Sequence, residues 1–119
     1  MNRVYLVQKD DAAGCDGNGA HFVPVVAYTH EAEAIQHNER LGVFRGEVRR
    51  LPLHGELVRI AVGAYLAFLV RKDDAAGCDG NGAHFVAEAV YSDAKAANEA
   101  NDALGAFRGE VLAIIVWEC

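Results

Sequence analysis

KDDAAGCDGNGAHFV, Lys9 to Val23, returns 63 residues later as the same fifteen residues, Lys72 to Val86. An internal repeat governs how everything around it is read, because overlooking it misassigns the fold. The match resumes at Leu41-Gly42 with Leu104-Gly105. It continues through Phe44-Arg45-Gly46-Glu47-Val48 with Phe107-Arg108-Gly109-Glu110-Val111. Residues 1–56 align on 64–119 without a gap and with 27 identities, and residues 57–63 (LVRIAVG) are the joint. Identity is complete in the loop block and has drifted in the helix that follows. Constraint by a site or a symmetric contact accounts for that pattern, and so does a recent or homogenised copy.

Working outward from the repeat, Val4 to Gln8 (VYLVQ) and Ala67 to Arg71 read as strands entering a polar, glycine-rich loop. Asp16-Gly17 and Asn18-Gly19 are dipeptides that accept positive φ, as hairpin turns demand. A second strand follows at His21 to Tyr28, with Phe22, Val26 and Tyr28 on one face and His21, Val23 and Val25 on the other. Thr29 and Ser92 stand where helix N-caps belong, followed by Glu31, Glu33 and Asp93 in the first turns. Gly42 and Gly105 stand where a C′ glycine ends a helix. The spacing predicts helices over 30–41 and 93–104. Their shared positions, Ala34, Asn38 and Leu41 with Ala97, Asn101 and Leu104, lie on one face at i, i+4, i+7. Asn38 and Asn101 interrupt that apolar stripe, so each must find a hydrogen-bond partner if buried. A brace to the loop or a strand end is the simplest such role.

Val43 to Leu53 reads as a third strand, with Arg45 and Glu47 on one face. Its counterpart continues as Leu112 to Trp117 (LAIIVW), apolar on both faces, which suits a central strand or one covered by a partner subunit. The first copy has Arg49, Arg50 and Pro52 there, and proline suits an edge. Each unit is therefore ββαβ. The fold class that follows is α+β: two such units, 1–56 and 64–119, form one antiparallel sheet with both helices on one face and a pseudo-two-fold axis between them. A 60-residue unit buries only about 60% of its unfolded surface, so the two are expected to share one core as a single domain. The sheet's other face would carry apolar side chains, which favours a homo-oligomer, a dimer or higher.

Composition narrows the function classes. Eleven basic against seventeen acidic groups give a net charge of −6. Neither copy is basic, which argues against nucleic acid as partner. The longest apolar run, Ile60 to Val70, falls well short of the roughly 20 residues of a membrane span. It reads as a buried strand or pair of strands, with no membrane partner implied. The N-terminus lacks a signal-peptide pattern, and three cysteines make an odd count for a disulfide framework. These features read as a soluble cytoplasmic protein with free thiols.

The loops carry the chemistry-bearing residues: Cys15, Asp16, Asn18 and His21, with Cys78, Asp79, Asn81 and His84. Cys15 and His21 with Cys78 and His84 make a Cys₂His₂ set if the loops meet, although the spacing fits no standard zinc module. From Asp16 the calcium-loop pattern fails at its fifth position and has no closing glutamate. A phosphate cradle needs a helix after the glycines, whereas a strand follows here. A Cys–His nucleophile needs a thiolate, and the neighbouring aspartates oppose its formation. The bland alternative is a hairpin loop satisfying its own turns around a small cysteine. Arg45 and Glu47, with Arg108 and Glu110, read as the floor of a polar pocket beside the loops or, more simply, as surface ion pairs. The resulting expectation is a small non-enzymatic, oligomeric binding module for a small ligand or protein partner. Its site would lie at the repeated loops and these Arg/Glu pairs, with no metal and no cofactor. The alternatives are a cysteine/histidine-dependent enzyme and a metal-binding protein.

Overall fold

The computed structural model describes residues 2–10, 22–73 and 85–118. In the first copy β1 (Arg3–Asp10) pairs antiparallel with β2 (Phe22–Tyr28). Then come α1 (Glu31–Arg40), a single 3-10 turn at Gly42–Phe44, and β3 (Glu47–His54), which pairs along the other edge of β1. The joint supplies β4 (Val58–Ala61), a hairpin partner for the start of β5 (Ala64–Asp73). The second copy continues with β6 (Phe85–Tyr91), α2 (Ala94–Ala103), a 3-10 turn at Gly105–Phe107, and β7 (Glu110–Trp117). Strands β6 and β7 flank β5 as β2 and β3 flank β1.

The two three-stranded halves do not lie side by side in an open sheet. Strand β3 pairs in parallel with β6 at Leu53↔Val90 and His54↔Tyr91. Strand β2 pairs in parallel with β7 at the equivalent positions, Ala27↔Val116 and Tyr28↔Trp117. These seams close a six-stranded barrel in the order β5-β6-β3-β1-β2-β7 and back to β5. The α+β sheet with both helices on one face is thus overturned. One helix lies outside each half, α1 over β1 and α2 over β5.

The physical reason is that the strands are apolar on both faces. Val4 and Leu6 turn into the lumen with Ala27, Leu51, Leu53, Ala67, Leu69, Ala87, Val90, Ile114 and Val116. Val7 and Val26 turn outward and pack with Ala34 of α1, joined by Tyr5, Tyr28, Leu41, Val48 and Ile115. A helix covers only one face; closing the halves on each other covers the second. Each buried Leu or Val contributes about 1.5–3 kcal/mol by leaving water. The lumen of so narrow a barrel is filled by side chains, and alanines sit among the leucines and valines where space is short. The open apolar face on which the expected homo-oligomer rested is occupied by the protein's own other half.

Several local features differ from the sequence reading. Gly42 and Gly105 end the helices at φ +63° and +62°, but the N-caps are His30 and Asp93, one residue later than Thr29 and Ser92. Asp93 accepts a hydrogen bond from the Ala96 amide at 3.0 Å, whereas His30 makes no side-chain cap. A β-bulge at Val25 breaks the alternation of β2, so Phe22 does not share a face with Val26 and Tyr28. The third strand begins at Glu47 because Val43 and Phe44 belong to the 3-10 turn. The run from Ile60 to Val70 is a pair of strands, but its β4 half is exposed throughout. Among the described residues no helix is long and apolar enough to cross a membrane.

Candidate functional site

Strand directions locate the strand ends that flank the repeated segments. Strand β1 runs antiparallel to β3, β3 parallel to β6, and β6 antiparallel to β5. Strands β1 and β5 therefore point the same way along the barrel. Asp10, where β1 ends opposite Phe22, and Asp73, where β5 ends opposite Phe85, lie at the same end. These four residues anchor the segments 11–21 and 74–84. Cys15, Asp16, Asn18 and His21, and Cys78, Asp79, Asn81 and His84, fall outside the described residues; their anchors share one rim. The seams are paired only at the opposite end.

Just inside that rim each copy places a polar pair on the lumen side. Gln8 follows Val4 and Leu6 in the inward alternation and is buried at 4% exposure. Its Nε2 donates to Glu47 Oε2 at 2.9 Å, directly across from it on β3. Arg49 Nη1 lies 3.8 Å from the same Glu47 oxygen. In the second copy Arg71 takes the place of Gln8 and forms an ion pair with Glu110. The Arg71 guanidinium also lies 4.8 Å over the Phe85 ring, a cation–π contact that strengthens as water is excluded. Among the described residues Arg71 Nε has no hydrogen-bond partner. One copy thus closes its glutamate with a neutral amide, and the other with a largely buried charge.

The expected Arg45/Glu47 and Arg108/Glu110 floors separate. Arg45 and Arg108 follow the 3-10 turns and reach back to the helices, Arg45 to Glu39 at 3.2 Å and Arg108 to Asp102 at 3.8 Å. Both pairs are more than half exposed and add little to stability. Glu47 and Glu110 remain at the lumen mouth. Gln8 and Arg71 stand at equivalent positions but differ between the copies, so the repeat does not mark them. Their signal was the alternation itself: a polar residue at the third inward position of an otherwise apolar strand.

The asparagines are structural. Asn38 Oδ1 accepts from the Gly46 amide at 3.0 Å, and Asn101 Oδ1 accepts from the Gly109 amide at 2.9 Å. Each pins the start of β3 or β7 under its helix. A Cβ at Gly46 would lie 2.1 Å from the Gln8 carbonyl oxygen, and one at Gly109 would lie 2.0 Å from that of Arg71. Backbone therefore runs against backbone where Glu47 and Glu110 are presented, and only glycine permits it.

Elsewhere, Tyr28 Oη lies 2.7 Å from His37 Nδ1 under α1. Burial and the nearby Arg40 charge hold the His37 imidazole below its usual pKa. At the paired end the joint leaves a hollow of about 270 Å³ between Leu53, Leu57, Tyr65, Glu56 and Glu118. Among the described residues no three His, Cys, Asp or Glu side chains gather as metal ligands would. No protein-family model, curated protein or solved structure matches this chain.

Proposed function

We propose that the chain is a small non-enzymatic binding module whose ligand is held at the loop-bearing rim of the barrel. One observation carries this reading: the strand ends that anchor both copies of the fifteen-residue segment share one end, directly above Gln8/Glu47 and Arg71/Glu110. Each copy of the segment has one lysine and three aspartates, so together they hold four of the six net negative charges. That acidic composition favours a cationic or polar ligand over an anionic one. The residues offered for contact are Cys15, Asp16, Asn18, His21, Glu47 and their counterparts Cys78, Asp79, Asn81, His84 and Glu110.

The shared rim also favours a second reading, in which Cys15, His21, Cys78 and His84 hold one metal ion of the zinc type. Native mass spectrometry of the untagged protein separates the two. Mass in excess of the chain that survives Cys15→Ser with Cys78→Ser is a carried ligand and supports the module. Zinc-sized excess lost in that double variant transfers the site to metal. A thiol that alkylates unusually fast near neutral pH would sink both in favour of an enzyme.

A further inference from the structure

We propose that the hollow beside the joint, at the end of the barrel opposite the rim, binds a small organic monocation: an ammonium group carried on a short alkyl body. The ten residues of β5 separate this site from Asp73 and the rim, and it does not rest on the reading made there.

The hollow of about 270 Å³ lies where the chain leaves β3, passes Gly55, Glu56 and Leu57, and meets the start of β5 and the end of β7. Its floor is apolar. Leu53 is buried, and Leu57 and Tyr65 pack against the cluster that fills the lumen. Its polar side-chain groups are the Glu56 and Glu118 carboxylates and the Tyr65 hydroxyl. Tyr65 Oη donates to Glu118 Oε1 at 2.8 Å, and the Glu118 amide donates to the Gly63 carbonyl, so Glu118 is held by side chain and backbone alike. Among the described residues no basic side chain lines the hollow, and neither carboxylate is in an ion pair. Arg59 stands opposite Tyr65 on β4, but it is exposed and pairs with neither.

The molecule contains its own control. Tyr65 and Glu118 have Asn2 and Gly55 as their equivalents in the first copy. The repeated fold is therefore built in one half without a tyrosine–carboxylate pair at this place.

The lining selects among ligand classes. Two carboxylates repel an anion. A divalent cation of the calcium or magnesium type needs about six oxygen ligands, and among the described residues no three metal-ligating side chains gather. A neutral apolar molecule would strip water from both carboxylates and replace it with nothing. An alkylammonium meets all three features. Its methylenes cover Leu53, Leu57 and the Tyr65 ring while its charge stays at the mouth with the carboxylates, and the tyrosine face adds a cation–π attraction. The volume falls just below that of drug-sized ligand pockets, which limits the alkyl body to a few carbons.

The test titrates the ¹⁵N-labelled full chain with n-butylammonium chloride, against sodium chloride and n-butanol at equal concentration. The expected result is saturable movement of the Leu57, Tyr65 and Glu118 amide signals by the ammonium alone. Affinity should fall about tenfold in Glu118→Gln, and less in Tyr65→Phe, which keeps the ring and releases the carboxylate. Glu118 is exposed, so Glu118→Gln keeps the fold. A capped tripeptide, Ac-GKG-amide, separates the two sources of such a group: binding by it assigns the hollow to a partner's lysine side chain, and binding by n-butylammonium alone assigns it to a free amine. Signals unmoved at tens of millimolar ammonium overturn the proposal, as do equal shifts with sodium chloride or n-butanol, and undiminished binding when Glu56→Gln is combined with Glu118→Gln. Binding that emerges only in Arg59→Ala also overturns it, by giving the hollow to the chain's own guanidinium.

Discussion

The two copies solve one geometric problem with different chemistry. In the first, Gln8 meets Glu47 by a neutral amide bond at the lumen mouth; in the second, Arg71 meets Glu110 as an ion pair under Phe85. In the first, β3 faces its seam with Arg50 and Pro52; in the second, β7 faces its seam with Ala113 and Ile115. Helix α2 is capped by Asp93 and α1 has no side-chain cap. The glutamates, the pinning asparagines, the helix-ending glycines and the glycines under β1 and β5 are the same in both. The glycines and asparagines that shape the backbone are shared, as are the glutamates and the fifteen-residue segments; the partners of the glutamates and the residues facing the seams differ. A duplicated fold keeps its geometry while its two surfaces become different.

The largest test of that division is Gly46→Ala against Gly109→Ala. Each Cβ would overlap a backbone carbonyl, and neither side can yield without moving a strand. Chemical denaturation should show a loss on the order of 3 kcal/mol in both. A cheap substitution in either copy would break the claim that backbone shape is the shared part. Next is Arg71. Replacing it with leucine strands Glu110, and the usual cost of breaking a buried pair is reduced to about 2 kcal/mol because that glutamate remains partly exposed. Arg71→Gln installs the first copy's amide, without the cation that Arg49 adds beside Glu47 and that Leu112 replaces here, and should cost about 1 kcal/mol. Equal losses for the two variants would show that the copies are not interchangeable at this position.

Caps give a smaller effect. Asp93→Ala should cost about 1 kcal/mol, and His30→Asp should recover about as much in the other helix; both are read from denaturation midpoints. The smallest effect is at His37, which Ala100 replaces in the second copy. Its folded pKa lies below the unfolded value, so the unfolded chain binds the proton first as pH falls. The stability associated with neutral His37 is intact above the ordinary histidine pKa and declines as pH drops through it toward the lowered folded value. The difference in stability between wild type and His37→Ala should narrow as pH falls from 7 to 5. A difference independent of pH would remove His37 from the account.

Much of the local structure was legible because its causes are local. Alternation in VYLVQ, positive φ at Gly42 and the Ala34–Asn38–Leu41 stripe each act within a few residues, and each stands where it was read. The bulge at Val25 and the 3-10 turn at Gly42–Phe44 were not legible. An alternating pattern does not announce an extra residue, and Phe44-Arg45-Gly46 alternates in polarity whether or not it is extended. That turn separated Arg45 from Glu47 and dissolved the expected pocket floor. Gln8 and Arg71 differ between the copies, so identity between the copies does not point to them.

Turn chemistry and periodicity act over short range, so the unit of strand, strand, helix, strand and its repetition are written in the residues. The residues also show that LAIIVW is apolar on both faces. Whether a second sheet, a partner subunit or the opposite wall of a barrel covers such a strand was decided only by the tertiary structure. The seams that close the barrel are made by backbone N–H and C=O groups at the ends of β2, β3, β6 and β7. Every residue but proline carries both of those groups, so no side-chain pattern marks where two distant strands will pair.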